Sequence, residues 1–419
     1  MFSLRRILRR GAFSRDRSVP ALVLPTGTPT GEQNLLRLGE RISNPVRVER
    51  AELLRRGRFF VRLRSTESVE GVAVGSDRLR YLWPIMTERV LPWFVGQDLR
   101  NIERLVDEVG RHDGNYKLAG LAFWSCLAAV ELAAFDLLGK TAGLSATELL
   151  ASDVPNESMR REIPVYLSSL RRDTTPEEEV GRLARRLEAT GAKAVKMKIG
   201  GRMGRGDTMP GRTEQLVQLA RKRLGDGVTI YVDGNGSYCA DEAIEVGRML
   251  EEHQVQLFEE PCAWEDFEAT KRVADRLEHV LVAGGEQDAS FEKFRWLIQH
   301  RGVDVMQPDV LNNGGFVRTL RIARLAAAAG MQASFHSATS EFAAAYMLHL
   351  AAVTPNLGAF QEFLEDSPAD GGKRRTRSPS ESYYAPCFEV REGVVTVPAG
   401  PGLGRTIDPW LLKRARVVG

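Results

Sequence analysis

Near the start of the chain, apolar and polar positions alternate in three short segments, 46–54, 58–64 and 69–74, separated by brief turns. Period-two alternation of this kind predicts a small antiparallel meander. Helical spacing follows over about 86–110 and 117–139. The second stretch, LAGLAFWSCLAAVELAAFDLLGK, is apolar nearly all round and predicts a buried helix. Strands followed by helices make an α+β domain over residues 45–162.

From residue 163 the rhythm changes, and short apolar strands alternate with amphipathic helices. The predicted strands are 164–168, 194–199, 228–233, 256–259, 280–286, 304–309, 332–336 and 359–362. Stretches such as 176–190 and 315–330 carry helical periodicity between them. Eight such units predict a parallel (β/α)8-type barrel, in its modified (β/α)7β form, over residues 163–384. An open doubly wound sheet is the structural alternative, but no GxGxxG turn follows any strand. Beyond 384, FEVREGVVTVPAGPGLG reads as a hairpin-like tail, so residues 385–419 are expected to return to the N-terminal capping domain.

Residues 1–44 form a basic extension expected to be disordered, with 25–34 (PTGTPTGEQN) as a linker. Six arginines and one aspartate lie in its first twenty residues, so a chain of net charge +3 has a body at about −2. Such a body offers no basic surplus for nucleic acid. The basic cluster Lys373–Arg377 sits among Gly, Ser and Pro and reads as a solvated loop. Arg9-Arg10 and the short apolar stretch Val19–Leu24 fall short of a twin-arginine export signal. The four cysteines (Cys126, Cys239, Cys262, Cys387) lack metal-site spacing and read as structural thiols of a cytoplasmic protein. No apolar run approaches the roughly 20 residues that would span a membrane.

One ionisable residue recurs wherever a barrel strand stops: Lys198, Asp233, Glu259, Glu286, Asp309, His336 and Glu362, spaced by 35, 26, 27, 23, 27 and 26 residues. The carboxyl ends of barrel strands converge on one mouth, so seven ionisable groups would share one bowl. A single strand-terminal aspartate is usually a helix cap, but seven in succession call for a cation and an ionic substrate. Asp233, Glu259 and Glu286 end neighbouring strands, and three carboxylates without His or Cys suit Mg²⁺. Glu260 competes with Glu259 for the ligand role. Lys198 and His336 are expected to face each other across the substrate, with Asp309 fixing the imidazole tautomer. Lys196 shares the strand face of Lys198. It disfavours protonation of that neighbour, pairs with the metal carboxylates, or does both. Glu362, if protonated, would donate to a substrate carboxylate oxygen.

The motifs VKMKIGG, YVDGN, FEEP, GGEQ, QPDVLNNGG, SFHS and FQEF stand in this order. Together they resemble the mandelate racemase subgroup of the enolase superfamily, over about residues 45–410. The resemblance implies two bases, here Lys198 and His336 with Asp309, and an Mg²⁺ held by Asp233, Glu259 and Glu286. It implies an electrophilic role for Glu362. The basic extension, the long loop GGRMGRGDTMPGRTE and the 365–384 insertion depart from the family pattern.

Asn235 shares the inward face with Asp233 and is a candidate for the ligand layer or the substrate; its alternative is a turn residue. Arg202 and Arg205, in the loop after the second barrel strand, would meet an acidic substrate or form a solvated loop. The other histidines, His112, His253, His279, His300 and His349, fall in or beside helices and read as structural. The turn Arg55-Arg56-Gly57-Arg58 makes a short lid, which leaves room for a polar, elongated ligand and favours an acid-sugar dehydratase. The expected reaction is Mg²⁺-dependent abstraction of the proton alpha to a carboxylate, through an enediolate, with dehydration of a sugar acid. The alternatives are a racemase or epimerase, a cycloisomerase, and a non-catalytic barrel kept as a binding protein. A small carboxylate substrate and a homo-oligomer are expected, with neither nucleic acid nor membrane as partner.

Overall fold

The computed structural model describes residues 35–118, 120–151, 154–337, 342–364, 384–385 and 388–419. The basic tail 1–34, the 365–383 insertion with its Lys373–Arg377 cluster, and Cys387 lie outside these residues.

Strands β1 (Val48–Arg56), β2 (Arg58–Ser65) and β3 (Glu70–Val74) form the expected antiparallel meander. Its β1–β2 turn is as tight as the sequence implies, with Gly57 at φ +68°. Helix α1 (Leu121–Ala142) lies across β2 and β3, and a Cβ on Gly71 would stand 2.3 Å from the Ala133 carbonyl oxygen. Only glycine permits that approach. Among the described residues α1 is the one helix long and apolar enough to cross a membrane, yet 83% of its apolar window is buried as the domain's core helix.

Two expectations need correction here. Residues 35–44 are not part of a free extension: Leu36, Leu38 and Ile42 are buried, and Leu35 N and Leu36 N donate to Glu103. The isolated apolar residues are too few to show a period, so their burial is invisible before folding. The stretch 86–110 is not one helix either. It breaks into Leu91–Phe94 and Ile102–Val109 around Val95, which is extended, and Gly96 at φ +80°. A π-helical turn at Met86–Val90 precedes the break, where Pro92 offers no N–H to the preceding turn.

Eight parallel strands follow in a curled sheet: β4 (Glu162–Ser168), β5 (Ala194–Lys198), β6 (Thr229–Asp233), β7 (Leu257–Glu259), β8 (Leu281–Gly284), β9 (Val305–Met306), β10 (Gln332–Ala333) and β11 (Gln361–Phe363). Each pairs with its neighbour, and β11 returns to pair with β4. A bridge between Ala333 and Leu357 carries the ring from β10 toward β11. The Gln361 side chain, through its Oε1, accepts from Phe335 N at 2.9 Å, which fastens the segment just before His336. Helices on the outer face have strong starts; α2 (Pro176–Thr190) opens on a capping box of Thr175 and Glu178. The tail divides between the two parts, where a return to the capping domain alone was expected. Residues Val394–Thr396 pair antiparallel with β4, and Arg416–Val417 extend the meander beside β1.

Candidate active site

Register across the sheet brings the strand ends together. Lys198 lies beside Asp233, Asp233 beside Glu259, and Glu259 beside Ala283, three residues before Glu286. Oxygens of Asp233, Glu259 and Glu286 lie within 4.8 Å of one another, and all three residues are buried. Glu260 is outside this cluster. Its φ of +41° turns the side chain away, and its Oε2 accepts from Asn235 Nδ2 at 3.2 Å.

Three buried carboxylates in contact are costly. Burial, with the negative charge of Asp233, Glu362 and Glu286, pushes Glu259 up to about 8 even though Lys196 pulls the other way. Burial also works against ionised Asp233, but Lys198 and Lys196 outweigh it and hold that carboxyl well below its ordinary range. Hard oxygen donors crowded in a dry pocket, without sulfur or imidazole among them, fit a small divalent cation such as Mg²⁺.

The two lysines of β5 serve different carboxylates. Lys198 Nζ contacts Asp233 Oδ2. Lys196 Nζ donates to both Glu259 oxygens at 2.7 Å and meets Glu362 Oε1 at 2.8 Å. Lys196 is thereby a counter-ion to two carboxylates. These carboxylates outweigh burial and keep it protonated.

His336 stands on the other side of the cluster. Its Nδ1 is 2.8 Å from Asp309 Oδ2, so Nδ1 carries the proton and Nε2 faces inward. Nε2 lies 3.2 Å from Glu286 and 3.9 Å from Glu362. Burial alone would lower the imidazole, but Glu286, Asp309 and Glu362 raise it to about 10.

Glu362 lies between Lys196 and His336. Burial disfavours its charge, yet Lys196, His336 and the Ser337 N–H lower it to about 2. Ser168 Oγ donates to the same carboxylate at 2.7 Å.

Asn235, at φ +44°, supports the ligand layer: its backbone N–H donates to Asp233 Oδ1 at 2.7 Å and its Oδ1 accepts from Arg172 at 2.7 Å. Arg202 and Arg205 are exposed and bridge each other in a tight loop, where Arg202 N donates to Ser237 Oγ. Arg172, rather than either of them, reaches the layer around Asp233. Sequence reasoning missed Arg172, Ser168 and Gln307, whose Nε2 donates to Glu259 at 2.7 Å. Ser168 and Gln307 sit at strand ends but carry no ionisable group, so the recurrence of ionisable types does not mark them.

The fold is shared with known proteins. The description "Enolase C-terminal domain-like" matches residues 179–411, and "Mandelate racemase / muconate lactonizing enzyme, N-terminal domain" matches residues 36–151. The chain belongs to the mandelate racemase subgroup of the enolase superfamily. The subgroup's relatives include D-gluconate dehydratase of Thermoproteus tenax, 26% identical over 82% of this chain and 69% of the relative. D-galactarolactone cycloisomerase of Agrobacterium fabrum is 28% identical over 78% and 82%. Among solved structures, a candidate racemase from Roseobacter denitrificans is 32% identical, with a TM-score of 0.81 over 90% of this chain and 99% of that one. A mandelate racemase/muconate lactonizing protein from Paracoccus denitrificans, complexed with magnesium, is 26% identical with a TM-score of 0.77 over 89% and 99%. As a member of the superfamily the chain is an enzyme, and its candidate site is a buried acidic triad between a lysine and a His–Asp pair.

Proposed function

We propose that this enzyme removes the proton alpha to the carboxylate of a sugar acid and expels a beta-hydroxyl, yielding a 2-keto-3-deoxy acid. The observation that carries the reading is the placement of Lys198 and His336 at opposite ends of the acidic triad, one against Asp233 and the other 3.2 Å from Glu286. Asp233, Glu259 and Glu286 would hold Mg²⁺, which when bound supplies the positive charge that stabilises a substrate carboxylate gaining a second negative charge.

Lys198 takes the alpha proton, and the electron pair of that bond moves toward the carboxylate. His336, its Nδ1–H held by Asp309, gives the Nε2 proton to the departing beta-oxygen, which leaves as water. The resulting enol becomes the keto acid. Glu362 and Ser168 keep Lys196 and the strand ends in place, and Asn235 with Arg172 orders the loop beside Asp233. Arg202 and Arg205 at the rim would attract an anion toward the mouth. Similarity to D-gluconate dehydratase supports the acid-sugar substrate class.

A second reading rests on the same pair of bases. A base on each side of the triad also suits epimerisation, in which His336 returns a proton to the opposite face. Incubation with aldonic and aldaric acids in D₂O separates the two. Keto acid trapped by semicarbazide supports dehydration. Alpha-deuteration without keto acid, across acids that bind, sinks it in favour of epimerisation.

A further inference from the structure

A cavity of about 200 Å³ opens between the two domains beside His336. His336, Asp309 and Asn312 line its barrel side, while Arg58 at the β1–β2 turn and Asp77 and Arg78 just beyond β3 line the capping side. The charges of the two walls are engaged very differently. Both Asp309 oxygens are committed, one to His336 Nδ1 at 2.8 Å and the other to Leu311 N at 2.6 Å. Across the cavity, Arg58 forms no ion pair or hydrogen bond among the described residues. The Arg78 guanidinium has one contact there, a 3.3 Å hydrogen bond to the neutral Asn312 Oδ1.

Several other arginines of this chain do meet carboxylates. Arg62 pairs with Glu52 at 2.7 Å, Arg100 with Asp98 at 2.8 Å and Arg321 with Asp107 at 2.6 Å. Asp77 borders the same cavity yet pairs with neither arginine among the described residues, so the capping wall presents two open guanidiniums. A guanidinium's planar fork of donors matches a carboxylate. For a ligand that reacts at His336 with its first carboxylate toward the triad, this cavity is the space on the capping side of His336 that can take the far end.

We propose that the substrate is a diacid, and that Arg58 and Arg78 receive the carboxylate remote from the reacting carbon. The proposal rests on the acid-sugar reading and narrows it. Arg58 owes its place to the short turn: with one glycine between β1 and β2, the first residue of β2 stands at the cavity rim.

The test uses the full chain with Mg²⁺ and matched acids that differ only at the far terminus: gluconate with glucarate, and galactonate with galactarate. Calorimetry gives Kd and semicarbazide trapping gives kcat/KM, for wild type, Arg58→Met, Arg78→Met and the double variant. Circular dichroism establishes that each variant is folded, and Arg58→Lys with Arg78→Lys keeps the charge if the Met forms fail to fold. The diacid should be preferred roughly tenfold or more, because hydrogen bonds to charged groups are the strong ones. In the double variant that preference should fall to about one, through KM and Kd rather than kcat. Equal treatment of both acids by wild type, or a preference that survives both substitutions, overturns the proposal. So does tighter binding of 6-phosphogluconate than of glucarate, which would make the distal anion a phosphate. Loss of this proposal alone leaves alpha-proton exchange on the monoacids, whereas failure of the acid-sugar reading removes exchange and binding for all four acids.

Discussion

Lys196 and Glu362 form a buried ion pair at 2.8 Å that reaches across β4, and Glu259 takes the same ammonium at 2.7 Å. One lysine thereby ties the triad on one side of the barrel to the strand that closes it on the other. A buried pair adds little net stability when whole, but removing one partner leaves the others uncompensated. Lys196→Met should cost roughly 3–5 kcal/mol. Denaturant unfolding of the metal-free protein measures it, and adding Glu362→Gln should recover part of the loss. A melt unchanged by Lys196→Met would show that the pair carries no such weight.

The acidic triad ties folding to the cation. Mg²⁺ that binds the native chain and not the unfolded one adds about 2.7 kcal/mol at a hundredfold excess over Kd. Chelation should therefore lower the melting temperature and Mg²⁺ restore it. Asp233→Asn should abolish the Mg²⁺-dependent rise while making the metal-free protein no less acid-stable. No calorimetric binding at millimolar Mg²⁺ would end the metal assignment.

The two candidate bases work from separate sides, so their removal should be separable. Lys198→Ala and His336→Asn should each slow their own proton transfer by roughly a hundred- to ten-thousandfold. Deuterium exchange followed on both faces of a bound acid reads each one. Asp309→Asn should mimic the histidine change with the imidazole still present, because Nδ1–H loses the acceptor that fixes its tautomer. Exchange in the Lys198/His336 double variant as fast as in wild type would mean that neither is a base.

His349 gives a pH dependence remote from the site. It is fully buried; Nε2 donates to Leu403 O at 3.1 Å, so Nδ1 accepts from Thr147 Oγ1 at 2.8 Å. Burial lowers it to about 4, with the Leu403 carbonyl pulling the other way. The unfolded chain therefore binds this proton first. Stability from this group is complete above about 6.5 and is lost as pH falls toward 4, by at most roughly 3 kcal/mol. Unfolding midpoints at pH 7, 5.5 and 4 should fall more steeply in wild type than in His349→Gln, and parallel slopes would refute the assignment.

Much of this architecture was legible in the order of residues. The eight strand–helix units and the meander announce themselves because a strand buried on both faces and a strand buried on one carry different apolar patterns. The acidic triad was legible too. Barrel strands run in sequence around the ring, so Asp233, Glu259 and Glu286 must become neighbours once each strand ends on a carboxylate. Residues 35–44 and the broken helix after Ile85 were not legible, because a few scattered apolar side chains and a single proline acquire meaning only from what they pack against.

The sequence by itself determined which residue types the mouth holds: the three carboxylates, the lysines, the His–Asp pair and their order around the ring, all consequences of local period and spacing. Tertiary structure alone decided how those charges are shared. From the sequence, Lys196 could neutralise Glu259, Glu362 or neither. Those alternatives differ by angstroms of side-chain placement across strands that are far apart in sequence, and at such distances in a dry interior the Coulomb energy settles them. The facing of Arg58 and Arg78 across the cavity from His336 is of the same kind, since it depends on how the capping domain sits over the barrel.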